Sequence, residues 1–135
     1  MTIAVGYDGG DSAQRALMAA ASLAKDLGEP IILVCGVAPA GGMGEEYEVV
    51  EDAIVDELAP AVAAAVEDLR ARGFQAESVL VDSDPVGALE TVMEQQSPRM
   101  LVVGYGQSGR IRAALFGAVA HKIVESSEVP VLVVP

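Results

Sequence analysis

Residues 2–37 read TIAVGYDGGDSAQRALMAAASLAKDLGEPIILVCGV, and this stretch decides the fold. Its two ends, residues 2–7 and 31–37, are short and rich in apolar and β-branched side chains, which predicts two strands. Between them, alanine and leucine recur at spacings of three and four residues, which predicts an amphipathic helix. Because the second strand is apolar at almost every position, it is expected to lie in a parallel sheet with both faces covered.

The same alternation of strand and helix continues along the chain. The first helix is expected to take Asp11 or Ser12 as its N-cap and to end at Gly28. A later helix is expected to begin with Asp84 as its cap and Pro85 in its first turn. The remaining predicted elements are a helical region at 45–72, strands at 77–82, 100–104 and 129–134, and a helix at 117–126.

The longest helical region, residues 45–72, is strongly acidic. No basic residue occurs between Asp26 and Leu69, so its acids indicate a solvated face. Pro60 removes one backbone donor, and a kink or a break is expected there. The apolar residues that recur at helical spacing in this region are Val50, Ile54, Leu58, Val62, Val66 and Leu69.

Composition and charge exclude several classes of protein. The chain has 135 residues, of which 52% are apolar and 21% charged, which indicates one folded domain over residues 1–135 and excludes intrinsic disorder. Aromatic residues make up 4% and tryptophan is absent, so no stacking platform for single-stranded nucleic acid is expected. The net charge of −12 would repel phosphate backbones and anionic lipid, so neither nucleic acid nor membrane is expected as a partner.

The compartment is inferred from features that the sequence lacks. No apolar run approaches the length of about 18 residues that a transmembrane helix needs. The start, MTIAVGYDGG, has no basic region and no cleavable apolar stretch, and Cys35 has no second cysteine with which to form a disulfide. We therefore expect a cytoplasmic protein, with Cys35 as a buried thiol of the core.

Alternating strands and helices imply the architecture. The order β-α-β-α-β-α-β-α-β predicts an α/β fold, a doubly wound five-stranded and mostly parallel sheet with helices on both faces. In such sheets, ligands bind beyond the carboxyl ends of the strands, near the switch in strand order. Unusual residues follow two strands there, YDGG at 7–10 and GYG at 104–106, so the functional site is expected at that edge.

Three stretches together resemble the universal stress protein family, and they span the chain. The opening AVGYDGGDSAQRALMAAASLA (residues 4–24) is similar to the family's first strand and helix, whose usual form is V-x-V-D-G-S before an amphipathic helix. The middle VDSDPVGALETVMEQQSPRMLVVG (residues 81–104) and the close VVGYGQSGRIRAALFGAVAHKIVESSEVPVLVVP (residues 102–135) also follow the family pattern. The resemblance implies a flavodoxin-like or nucleotide-hydrolase-like fold with strand order 3-2-1-4-5, and a role in survival under stress.

The resemblance also implies an adenine-nucleotide site, because many members bind ATP through a Gly-x2-Gly-x9-Gly-[Ser/Thr] loop. In those members an Asp after strand one lies near the adenine, and Asp8 matches it. Gly36 falls where the family has an apolar residue that packs on the base, which would leave this wall thin. The residues that the resemblance assigns to the site are Asp8, Gly36, Val103, Gly104, Gly106, Gly109, Arg110, Gly117, Ala118 and Val119.

The loop departs from the family pattern at three positions. Gln107 replaces the second glycine, Ala118 replaces the hydroxyl residue, and Ala120 stands where a further hydroxyl is often found. Backbone N–H groups at the helix start could still hold a phosphate. Each missing charge-assisted hydrogen bond removes about 1.5–3 kcal/mol, which weakens affinity by about tenfold or more.

Two features of the site have alternative interpretations. Residues 1–97 hold 18 acidic and 4 basic residues, whereas four basic residues and no acidic one lie from Arg99 to Lys122. Arg110 and Arg112 could hold a phosphate, or they could neutralise nearby acids at the surface. Asp8 could be the acid beside the adenine, or a turn residue before the first helix.

Other classes fit the sequence less well. A receiver domain would need an acidic pair after strand one and a lysine after strand five, where this chain has Tyr7-Asp8 and Pro135. His121 has no Ser or Asp at a spacing typical of catalysis, and no Cys/His cluster indicates a metal site. No enzyme is therefore expected, beyond slow ATP hydrolysis if ATP binds.

Two functions stay open. One is a dimeric regulatory or interaction module with a degenerate adenine-nucleotide site, which the missing hydroxyls favour. The other is a protein that binds ATP or AMP and senses or stores the nucleotide. In both cases we expect a homodimer through the run from Val129 to Val134, which is apolar on both faces and which the resemblance places at the edge of the sheet.

Overall fold

The computed structural model describes residues 1–38, 45–105 and 117–135, and the elements follow the predicted order. The strands are β1 Ile3–Gly6, β2 Ile31–Gly36, β3 Ala76–Val81, β4 Met100–Gly104 and β5 Val131–Val134. The helices are α1 Asp11–Leu27, α2 Glu45–Ala71, α3 Pro85–Gln96 and α4 Ala118–Ser126. No helix within these ranges has the length and apolarity that crossing a membrane would require.

The strands form one sheet in the order β3-β2-β1-β4-β5, with every pair parallel. β1 lies at the centre, where Val5 pairs with Leu33 of β2 on one side and with Val102 of β4 on the other. The chain runs outward from β1 to β3 and then returns to β4, so the strand order switches between β1 and β4. This confirms the predicted doubly wound sheet.

Side chains of the central strands pack into two hydrophobic cores, one on each face of the sheet. On one face, Ile3, Val5 and Cys35 pack with α1 and α2. On the other, Ala4 and Ile32 pack with α3 and α4. Because both faces of β1 and β2 are covered, their sequences are apolar without alternation, and Cys35 is the buried thiol that was predicted.

The starts of α1 and α3, both near the carboxyl edge of the sheet, differ in how they are capped. As predicted, the Asp84 carboxylate caps α3 by accepting a backbone N–H at 2.8 Å. The N-cap of α1 is Gly10, so the prediction of Asp11 or Ser12 is wrong. The Asp8 carboxylate already closes the turn by accepting the Gly10 N–H at 2.9 Å, which places Ser12 inside the helix.

α2 is one helix over Glu45–Ala71, so of the kink or break expected at Pro60 the break is wrong and the kink stays a prediction. The proline removes one backbone hydrogen bond, but buried residues on both sides of it, from Leu58 to Leu69, hold the helix against the sheet. Val50 is 45% exposed and lies outside the buried stripe to which its spacing assigned it. The packing of α2 is therefore concentrated in its second half.

Candidate functional site

A cleft opens at the carboxyl edge of the sheet, beside the switch in strand order. Its lining comes from the ends of β1, β2 and β4 and from the starts of α1, α3 and α4. This is the position at which doubly wound sheets bind their ligands. The residues that line it are Gly6, Tyr7, Asp8, Ser12, Ala13, Val34, Gly36, Pro85, Leu89, Val103, Gly104 and Val119.

The cleft brings together half of the residues that the resemblance assigned to the site. Those in the lining are Asp8, Gly36, Val103, Gly104 and Val119. Gly117 and Ala118 begin α4 directly before Val119, without lining the cleft themselves. The remaining three assigned residues, Gly106, Gly109 and Arg110, lie outside the described residues, as do Gln107 and Arg112.

Asp8 is both a turn residue and a lining residue. Its carboxylate accepts the Gly10 N–H at 2.9 Å, and the same side chain borders the cleft. Burial first, and the Asp8 carboxylate second, raise the pKa of the Cys35 thiol to about 12. Negative charge beside the ends of the central strands favours a ligand that donates hydrogen bonds at this point, such as an amino group.

Tyr7 and Ser12 line the cleft although the sequence did not indicate them as site residues. Tyr7 is buried, its hydroxyl donates to Gln14 Oε1 at 3.2 Å, and burial together with Cys35 and Asp8 raises its pKa. Ser12 is 4% exposed. Because Tyr7 directly precedes Asp8, the sequence could have indicated Tyr7 as a residue of the site. Ser12 lies in the cleft because α1 packs against the end of β4, which is distant in the chain.

Two glycines of the lining are required by close packing. A Cβ atom at Gly36 would lie 2.6 Å from the Asp84 carbonyl carbon and 2.7 Å from the Pro85 nitrogen. A Cβ atom at Gly104 would lie 2.6 Å from the Ser12 carbonyl oxygen. The peptide backbone before α3 thus packs directly against Gly36, and the thin wall beside the base stays a prediction. The missing side chain lets α3 approach β2.

α1 and α4 both begin at this edge of the sheet with a glycine as the N-cap residue, and in the part of the chain that the structure describes neither N-cap residue makes a side-chain hydrogen bond to its helix. Their N-caps are Gly10 and Gly117, and neither has a side chain that could accept the N–H groups of the first turn. Gly117 has φ 73°, a left-handed conformation that favours glycine. Uncapped N–H groups and the positive end of the helix dipole favour an anion at such a position.

The described residues supply the cleft with a carboxylate, two hydroxyl groups and backbone polar groups. Within the same ranges, no group of three or more His, Cys, Asp or Glu side chains is arranged to hold a metal ion. The lining is otherwise apolar, from Val34, Pro85 and Leu89 to Val103. A lining of this kind can hold a flat apolar ring that has hydrogen-bond donors at its edge.

Comparisons with known proteins point to one family. The model of the Universal stress protein family matches residues 1–135. The Universal stress protein YxiE of Bacillus subtilis (strain 168) is 29% identical over 143 residues, which cover 96% of this chain and 95% of that protein.

Solved structures share the fold. A universal stress protein in complex with cAMP is 24% identical, with a TM-score of 0.73 over 100% of this chain and 97% of its own. The universal stress protein from Archaeoglobus fulgidus in complex with dAMP is 22% identical, with a TM-score of 0.70 over 100% of this chain and 98% of its own.

Proposed function

The chain belongs to the universal stress protein family, and from this premise we propose that it acts in the stress response as a dimeric regulatory or interaction module with a degenerate adenine-nucleotide site. The observation that supports the nucleotide site is the cleft, where Asp8, Gly104 and Val119 come together beside the strand switch. The ligands of the two structural neighbours, cAMP and dAMP, each combine adenine with a single phosphate. A cleft bordered by both a carboxylate and helix starts offers partners for each of these two groups.

The adenine is proposed to lie near Asp8 and Gly36. The Asp8 carboxylate can accept a hydrogen bond from the amino group of the base, and the neighbouring lining is apolar. The phosphate is proposed to lie near Gly104 and the start of α4 at Gly117 and Ala118, where uncapped N–H groups favour an anion.

The first turn of α4 supports the degenerate character of the site. Ala118 has a methyl group where the family pattern has a hydroxyl. Ala120 is 2% exposed and belongs to the core, so a hydroxyl there would be buried among apolar side chains and away from a ligand. Because Ala118 cannot make the hydroxyl hydrogen bond, we expect a dissociation constant on the order of tens of micromolar or weaker for ATP.

A protein that binds ATP or AMP tightly, as a sensor or store, is the second candidate. The observation in its favour is that α4 starts at the carboxyl edge with glycine as its N-cap, so that N–H groups of its first turn can replace part of the missing hydroxyl contacts. Arg110 and Arg112 would add positive charge in the same region of the sequence. The two candidates differ in affinity, which is measurable.

The dimer is supported by the open edge at β5. Within the described residues, β5 pairs with β4 on one side only, and Leu132 is 37% exposed. An unpaired strand edge exposes backbone donors and acceptors, and pairing with the β5 strand of a second copy would satisfy them.

Titration calorimetry with adenosine, AMP and ATP tests the nucleotide site. Gln107→Gly combined with Ala118→Thr should tighten AMP and ATP by about tenfold and leave adenosine unchanged, because the added hydroxyl contacts only phosphate. The matched control is Gln107→Gly with Ala118→Val, which has the same shape and no hydroxyl. Sub-micromolar ATP binding by the wild type would favour the second candidate. If neither the wild type nor the variant with threonine gives heat with any of the three ligands, both candidate functions are refuted.

A further inference from the structure

Tyr105 and His121 make a contact between the carboxyl end of β4 and the first turn of α4. Tyr105 directly follows β4, and His121 lies at the end of that turn. The Tyr105 hydroxyl and His121 Nε2 are 3.2 Å apart, a hydrogen-bond distance whichever of the two atoms donates. The rings meet edge to face, with centroids 5.6 Å apart and an angle of 68° between the ring planes.

The Tyr105 ring also covers the N-cap of α4. A Cβ atom at Gly117 would lie 2.7 Å from Cε2 of Tyr105, so the ring lies directly on the glycine backbone. The His121 N–H donates to the Gly117 carbonyl oxygen at 2.9 Å and closes the first helical turn. Tyr105 therefore contacts both ends of the turn that reaches the cleft through Val119.

The backbone of Tyr105 is anchored in the sheet. Its N–H donates to the Val134 carbonyl oxygen at 2.8 Å, immediately after the ladder between β4 and β5. β4 itself contributes Val103 and Gly104 to the cleft. The contact thus joins the end of β4, which the sheet holds in place, to the start of α4. The position of that helix start determines where its N–H groups point.

We propose that Tyr105 and His121 are positioning residues for the phosphate of the bound nucleotide. They hold the N-terminus of α4 against the end of β4, so that the N–H groups of the first turn point at the phosphate. This inference rests on the proposed nucleotide site and adds what orients its phosphate end. Because the base end is formed by other elements, the pair acts on the binding of nucleotides and leaves that of nucleosides unchanged.

Four variants test this role. Tyr105→Phe keeps the ring on Gly117 and removes the hydroxyl, whereas His121→Ala removes its partner. Each should weaken AMP binding by about three- to tenfold, with adenosine affinity and melting temperature unchanged. The double variant should bind AMP no more weakly than His121→Ala alone, because His121→Ala already removes the hydrogen bond that Tyr105→Phe removes. His121→Gln, whose amide can take up the hydrogen bond, should stay within about twofold of the wild type.

Amide exchange without ligand provides a readout of the contact that does not need the nucleotide. The His121 amide should exchange faster in Tyr105→Phe than in the wild type, while amides of α3 stay unchanged. Unchanged exchange, equal loss of AMP and adenosine binding, or additive losses in the double variant would each overturn the positioning role. A wild type that binds AMP no better than adenosine would refute the phosphate site itself, and that result is seen before any variant is made.

Discussion

Gly36 and Gly104 lie where the end of a strand meets the backbone of another element, and neither position has room for a side chain. Both also fall in the region that the family resemblance assigns to the nucleotide. Close packing between elements is therefore a sufficient reason for glycine at these two positions, whether or not a phosphate approaches them. Glycines of this kind support a binding site only together with polar groups such as Asp8.

Gly36→Ala is expected to lower the free energy of unfolding by about 1–3 kcal/mol, because its Cβ meets backbone atoms that cannot rotate away. Gly6→Ala is the matched control in the same lining. Its Cβ would lie 3.3 Å from Val103 Cγ1 and 3.4 Å from Leu89 Cδ1, and these side-chain atoms can shift. Urea denaturation measures both variants, and equal losses would contradict the packing argument.

Cys35 is expected to be unreactive in the folded protein. It has no exposed surface, and burial together with the Asp8 carboxylate raises its pKa to about 12, so the reactive thiolate is scarce. A disulfide reagent at about pH 8 should modify no thiol under native conditions and one thiol per chain in denaturant. Fast labelling of the native protein would mean that β2 opens locally.

At the scale of elements, two side chains at the exposed start of α2, Tyr47 and Glu51, interact with Asp82, which directly follows β3. The Tyr47 hydroxyl donates to Asp82 Oδ1 at 3.1 Å. A hydrogen bond shared with Asp82, followed by loss of hydration and the charges of Asp82, Asp52 and Glu48, raises the pKa of Glu51. The contact between the two carboxyl groups is therefore favourable only while a proton lies between them.

Glu51→Gln should raise the melting temperature at pH 7, because the amide can donate to Asp82 without adding charge. Because the pKa of Glu51 is raised in the folded protein, the unfolded chain releases this proton at a lower pH than the folded chain. The wild type therefore loses stability as the pH rises from the ordinary pKa of glutamate through the raised pKa of Glu51. The difference between variant and wild type should vanish below that window. Glu67→Gln, on the same helix, controls for the general loss of negative charge, and parallel pH profiles of the two variants would refute the contact.

At the scale of the whole molecule, the two edges of the sheet are protected unequally. β3 carries the exposed, charged Glu77 within the strand, which disfavours pairing with another chain. β5 is VLVV, with Leu132 exposed and no charged side chain after Glu128. Of the two edges, β5 is thus the one expected to pair with a second copy.

Light scattering at micromolar concentration should give about twice the 13.8 kDa mass of one chain. Leu132→Lys should shift the protein to monomer, because a lysine on the edge would be desolvated on pairing. Val49→Lys on α2 is the matched control, an exposed apolar residue far from β5 in the fold, and it should remain dimeric. A monomeric wild type would contradict the dimer.

Patterns within short windows were enough to predict the order of the elements, the parallel sheet and the edge at which a cleft forms. Apolar runs, helical spacing and caps such as Asp84 depend on neighbours in the sequence, so they can be recognised without a fold. The family resemblance supplied the strand order, together with lining residues such as Asp8 and Val119.

Contacts between distant parts of the chain were decided only in the folded molecule. Such contacts bring the Asp84 backbone against Gly36 and the Tyr105 ring against Gly117. The packing of α2 against the sheet likewise holds the helix together across Pro60. Helical and strand periodicity determine which face of an element is apolar, whereas distances between backbones depend on how all the layers pack together at close to crystal density.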